Sequence, residues 1–242
     1  FYRKKAARVK KSFQRLFWDR KNKRYRDSDN TEHASLHANI FPLAFGLVDE
    51  KDKAPVMKYI RSKGMIPGVW LELEVMGINC HMAQEVPDDW FFMRHGKRVY
   101  DRSRYQLDYR NPEVRAYADS VIDRLIKEYG VGYIKMDYNI EPGIGTDLHA
   151  DSAGDGMLSH ERAYLKWLEA VFKRYPDLVI ENCSSGGLRM DYAMLSRYSI
   201  QSTSDQDDYR YYCTIAANSP SALTPEQSAI WSYPLREGDR EE

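Results

Sequence analysis

Apolar residues at positions 2, 6, 9, 13, 16 and 17 recur at helical spacing with lysines and arginines between them, which predicts an amphipathic helix over residues 2–17. The Asp-Ser-Asp-Asn run at 27–30 reads as a turn. Thr31 then starts a second predicted helix running to about Phe45, and Asp52 caps a third over residues 53–63 that Gly64 closes. From Gly64 onward the pattern changes. Short apolar runs at 65–73, 131–134, 178–182 and 198–202 read as strands. Between them lie amphipathic helices at 113–129, 159–174 and about 189–197, the first introduced by Asn111-Pro112. Two further short helices are expected around 209–217 and 225–233. Residues 87–109 show no clear period and read as a long polar, aromatic loop, and loops of that size in compact domains tend to be functional.

Strand–helix alternation of this kind implies a parallel sheet with right-handed crossovers, the α/β class. Polar residues follow the C-terminal end of every predicted strand: Glu72 and Glu74, Lys135 and Asp137, Cys183 and Arg189, Asp205 and Asp207. Four such clusters in succession place the expected chemistry on one rim of a (β/α) TIM barrel. The 131–139 stretch is central to that reading. Its apolar strand delivers Lys135 and Asp137 two residues apart, hence to the same side.

Composition narrows the field. The chain has 242 residues, 43% of them hydrophobic and 13% aromatic, enough for one α/β domain of barrel size. Its net charge is zero, which argues against a general polyelectrolyte partner, although residues 1–26 hold twelve Lys/Arg and one acid, Asp19. A nucleic-acid arm is one reading of that basic face; a solvated face, with no nucleic-acid partner, is the plainer one. Three cysteines without paired spacing give no metal pattern and no disulfide framework, no run is long enough to span a membrane, and a cytoplasmic location is expected. His33 and His37 stand four apart on the second predicted helix, a zinc-compatible spacing with no third ligand in view, so packing histidines are expected. The chain begins at Phe1 without Met, which suggests a piece of a longer protein.

In a barrel, Asp137 and Asp205 would face each other across the mouth. Two facing carboxylates suit glycoside hydrolysis, one ionised beside a cation such as Lys135 and the other protonated to donate to the leaving oxygen. A divalent metal held by Glu72, Glu74, Asp137 and Asp205 is a rival arrangement. Structural carboxylates that satisfy loop backbone or neighbouring cations are a third.

Five ordered motifs carry a resemblance: Gly-Val-Trp70-Leu-Glu-Leu-Glu74, Gln106 to Val114, Tyr133-Ile-Lys-Met-Asp137-Tyr-Asn139, Glu181 to Asp191, and Thr203-Ser-Asp205. Over about residues 60–235 they resemble the catalytic barrel of the melibiase-type α-galactosidases, glycoside hydrolase family 36. The resemblance implies a retaining mechanism without a cofactor or metal, with Asp137 as nucleophile and Asp205 as acid/base. It also implies a carbohydrate subsite lined by Trp70, Arg104, Lys135, Cys183 and Arg189. The chain departs from the family pattern at Met136, Ser202 and Gln206-Asp207. Residues 1–60 resemble instead part of the helical domain of bacterial α-L-rhamnosidases, notably at Asp29 to Asn39 and Phe41 to Leu47.

These motifs imply a fusion: a helical segment over 1–60 and a partial (β/α) barrel over 61–242, with four strands in view and a fifth expected at 219–224. An open half-barrel leaves sheet edges for N-terminal helices or a second copy to cover, so homo-oligomerisation is expected. A retaining α-galactosidase is the first functional reading, with weak activity in isolation. A non-catalytic carbohydrate-binding fragment is the second, and a metal-dependent hydrolase the third.

Overall fold

The computed structural model describes residues 2–35 and 37–231. The chain divides into two compact units, Phe1–Gly68 with Ile122–Gly132, and Val69–Val121 with Tyr133–Glu242.

In the first unit, helices span Tyr2–Phe17, His37–Ala44 and Glu50–Ser62. A hairpin pairs Trp18–Asp19 with Arg24–Tyr25. Tyr25, Val48, Val56 and Ile60 form the core, with Phe13, Phe17, Trp18, Ile40, Leu43 and Met57 packed against it. Two expectations shift here. The second helix starts at His37, because Asp27 captures the preceding segment: its carboxylate accepts from the Ser35 N–H at 2.7 Å and meets His33 Nδ1 at 2.5 Å. His33 and His37 therefore do not share a helix. The third helix begins earlier than expected, with Asp49 at its N-cap.

The second unit holds a five-stranded sheet. Its strands are β1 (Gly68–Leu71), β2 (Tyr133–Met136), β3 (Val179–Asn182), β4 (Ile200–Ser202) and β5 (Ser228–Ala229). They lie in the order β5-β4-β3-β2-β1, and the β2/β3, β3/β4 and β4/β5 pairs are parallel. The fifth strand is thus not at 219–224, where Pro220 sits inside a 3₁₀ turn over Ser219–Ser221. It falls within the stretch expected as a helix at 225–233, which shortens to a 3₁₀ turn over Pro225–Gln227; the end of that stretch lies outside the described residues.

Long helices at Pro112–Lys127 and Ala153–Arg174 connect the strands. Their N-termini are capped by side chains, Asn111 accepting from the Glu113 N–H at 2.8 Å and Ser152 from the Asp155 N–H at 3.1 Å. Asp119 ties the two together, accepting from Trp167 Nε1 at 2.8 Å and from Arg174 at 2.6 Å. Tyr109, Tyr164, Trp167, Phe92 and His160 fill the space beneath with edge-on ring contacts of 4.7–5.8 Å between several of the pairs.

The stretch over 87–109 is not structureless. Met93–Arg94 pairs with Lys97–Arg98, and Arg104–Gln106 lies between Val75–Gly77 and Tyr100–Asp101 in a small antiparallel sheet. Strands of two or three residues are too short to show a period. Both tight turns, His95-Gly96 and Arg102-Ser103, use positive φ at each central residue.

Candidate active site

The cluster at the C-terminal end of β2 follows from strand register. Val179 pairs with Tyr133 and Glu181 with Lys135 across the β2/β3 ladder, so these four side chains share one face. Glu181, nearly fully buried, receives the Lys135 Nζ at 3.0 Å and the Tyr133 hydroxyl. Lys135 is held charged: burial works against its ammonium, but Glu181, Cys183 and Asp137 outweigh that and raise its pKa. Its Nζ also lies 4.4 Å from the centre of the Trp231 ring, just past β5.

Asp137 continues the ladder beyond β2, its N–H donating to the Leu71 carbonyl at 2.8 Å. The carboxylate is buried and receives Trp70 Nε1 at 3.0 Å and the Tyr138 N–H at 2.9 Å. Burial alone would favour the neutral acid. Hydrogen bonds from Asn139, Trp70, Cys183 and the Tyr138 N–H prevail and hold Asp137 below the ordinary carboxylate range. Trp70 itself is 52% exposed, so an aromatic face borders this anion on the solvent side.

Cys183 is buried, and that burial pushes its thiol up. Asp205 follows β4 and is exposed. One strand, β3, lies between the carriers of Asp137 and Asp205, which separates their strand axes by about 10 Å. The turn over 184–187 touches both carriers. Ser184 Oγ donates to the Tyr138 carbonyl at 2.6 Å, and the Ser185 N–H donates to Asn139 Oδ1 at 3.0 Å. On its other side, a Cβ on Gly186 (φ +80°) would lie 2.7 Å from the Asp205 nitrogen, and one on Gly187 would lie 2.5 Å from the Thr203 carbonyl oxygen. Only glycine permits this approach.

Two of the expected sugar-contacting cations are already engaged. Arg189 makes a bidentate pair with buried Glu74, at 2.6 and 3.1 Å, reaches Glu161 at 3.3 Å, and lies 4.4 Å from the Tyr138 ring centre. Arg104 Nε donates to Glu72 at 2.6 Å, and Glu72 also accepts from Asn139 at 2.9 Å. Glu72 and Glu74 are therefore each satisfied by a different cation, and among the described residues no group of three or more His, Cys, Asp and Glu could hold a metal ion.

Sequence reasoning gave no role to Glu181, Asn139 or Trp231, although all three organise the site. Glu181 and Asn139 fall inside quoted motifs, but their partners come from register and loop closure. Trp231 stands alone after a two-residue strand, with no pattern to mark it.

A profile of the Melibiase family matches residues 26–229. The chain belongs to the melibiase family. That span begins inside the segment likened to a rhamnosidase helical domain. The melibiase relatives include alpha-galactosidase Mel36A of Lactobacillus acidophilus, 28% identical over 174 residues, covering 69% of this chain and 22% of that protein. An alpha-galactosidase of Escherichia coli is 29% identical over 173 residues, covering 71% and 24%. The chain thus spans less than a quarter of the length of these relatives. Among solved structures, the GH36 alpha-galactosidase AgaA of Geobacillus stearothermophilus aligns with a TM-score of 0.67 at 20% identity, over 78% of this chain and 28% of that one. AgaA in complex with raffinose aligns with a TM-score of 0.67 at 18% identity, over 92% and 30%. At these identities the structural likeness speaks to fold alone. With the family match, the chain is glycoside-hydrolase-like, and none of its described helices is long and apolar enough to cross a membrane.

Proposed function

We propose that this chain carries the catalytic rim of a retaining α-glycosidase acting on terminal α-galactosides. The observation that supports this best is the state of Asp137, a buried carboxylate kept anionic by four hydrogen-bond donors at the end of a central strand, with Lys135 nearby. In the first step Asp137 attacks the anomeric carbon while the glycosidic C–O bond breaks, and the leaving oxygen takes a proton from the Asp205 carboxyl group. In the second, Asp205 as carboxylate takes a proton from water, whose oxygen attacks the same carbon and releases Asp137 and the free sugar. Trp70 borders the sugar, and Lys135 and Cys183 line the same end of the sheet. Arg104 and Arg189 act from behind, by fixing Glu72 and Glu74. No cofactor enters this scheme. The five-stranded sheet is read as part of a (β/α) barrel, residues 1–60 as a helical segment of rhamnosidase-like character, and a second copy as a cover for a sheet edge. Free thiols at Cys80, Cys183 and Cys213 suit a reducing cytoplasm.

Labelling tests the reading without requiring turnover. A mechanism-based α-galactosyl inactivator should leave a covalent adduct on the Asp137 peptide, seen by mass spectrometry and lost in Asp137→Ala. Saturable galactoside binding with no adduct would overturn the catalytic reading in favour of a carbohydrate-binding fragment.

A further inference from the structure

The first unit contains a cleft of about 800 Å³ whose charged lining is mostly cationic, unlike the carboxylate rim. Three segments of the chain build it: Asn22 and Lys23 from the hairpin turn, Ala54 to Ser62 from one helix, and Lys127 to Gly130 from the end of another. Lys23, Lys58, Arg61 and Lys127 line it beside the Glu128 carboxylate, with Lys127 already paired to Asp123 at 2.7 Å and Lys23, Lys58 and Arg61 as the cleft's other cations. Isolated surface lysines are ordinarily solvated and signify nothing. This group differs in being concave and in having one cation fixed. Arg61 Nη1 donates to the Gly130 carbonyl at 2.7 Å, and a Cβ on Gly130 (φ +67°) would come within 3.0 Å of that same nitrogen. Lys23 sits at φ +55°, a region that asparagine or glycine would occupy more easily. Lys63 and Arg24 stand 5.3 and 5.6 Å from the Tyr59 ring centre and add positive charge around that wall. The wider setting has the same sign: this unit carries 19 Lys/Arg against 9 Asp/Glu, whereas the other carries 17 against 27. A concave site in a positive field concentrates anions.

We propose that this cleft binds a small multivalent oxyanion of the phosphate-ester or diphosphate class, free in solution. Its volume lies in the range of small-molecule sites, and Pro55, Tyr59 and Tyr129 offer surface for an organic body behind the charged group. The inference does not rest on glycosidase activity. Calorimetric titration of the full chain with inorganic pyrophosphate at low ionic strength tests it. Saturable one-to-one binding is expected, weakened about tenfold by Lys23→Glu or Lys58→Glu and less than about twofold by Lys4→Glu, an equal charge change outside the cleft. Absence of saturable binding overturns the proposal. So does an equal loss in Lys4→Glu, which would reduce the effect to net charge, and so does binding to phosphatidylserine vesicles without binding to pyrophosphate.

Discussion

Replacing Arg189 with methionine isolates the energetic role of the pair behind the nucleophile strand. The Glu74 side chain is 1% exposed and that of Arg189 11%, so removing the guanidinium strands a carboxylate that water cannot reach. Breaking a buried pair in this way typically costs about 3–5 kcal/mol, and the lost contact with the Tyr138 ring adds to it. For a chain of this size that corresponds to a fall in Tm of roughly 6–20 °C. Removing both charges should cost far less. Glu74→Met combined with Arg189→Met exchanges an ion pair for apolar side chains of similar length, a change that is often neutral within about 1 kcal/mol. Glu161 is partly exposed and keeps its water when the guanidinium leaves. Arg189→Lys should fall between, because an ammonium keeps the charge but not the two parallel bonds. Urea unfolding followed by tryptophan fluorescence gives the stabilities of the parent and these variants, and adding Glu74→Met alone closes a double-mutant cycle that yields the coupling. A loss below about 1 kcal/mol in Arg189→Met, or a double variant as unstable as the single, would refute the buried-pair argument.

Three further outcomes follow from other contacts. Asp137 has its folded-state pKa depressed, so its ionisation contributes stability above the unfolded value of about 3.9 and loses it as pH falls further. Asp137→Asn should therefore melt below the parent at pH 6, with the gap closing below about pH 4; an equal gap at pH 6 and pH 3 contradicts this. Native protein should react quickly with a thiol reagent at exposed Cys80 and Cys213 and slowly at buried Cys183, the third equivalent appearing only in denaturant; fast uptake of three equivalents would count against the burial described. Gly156 lies inside a helix, where alanine normally gains about 1 kcal/mol, but a Cβ there would stand 2.1 Å from the Thr146 carbonyl oxygen. Gly156→Ala should lower the Tm, and a higher one would show that the approach is looser than described.

Much of the second unit was legible because its helices are long and punctuated. Asn111-Pro112 begins one helix, the run of Tyr164, Leu168 and Val171 marks the next, and the strands between them are apolar enough to stand out. Asp137 was legible for the same reason, as the first acid past a buried strand. What escaped depends on distance along the chain. Glu181 reads as one more acid until register places it beside Lys135, and nothing in the sequence around Arg189 points to its pair with Glu74, 115 residues earlier. The small hairpins and β5 escaped because two or three residues carry no period, and the late start of the His37 helix because Asp27 competes for the preceding backbone.

The turn over 184–187 rests on the Asp137 loop on one side and on the Thr203–Asp205 backbone on the other. It therefore acts as a spacer gauge. In glycoside hydrolysis the separation of two carboxyl groups decides whether the sugar product keeps or inverts its configuration, with a difference of only a few ångströms between the outcomes. A side chain at Gly186 or Gly187 would run into the backbone of Ser204 and Asp205 or the Thr203 carbonyl and force a new spacing between the two carriers. On the proposed mechanism, the stereochemistry of the product then depends on the spacing that these two glycines allow.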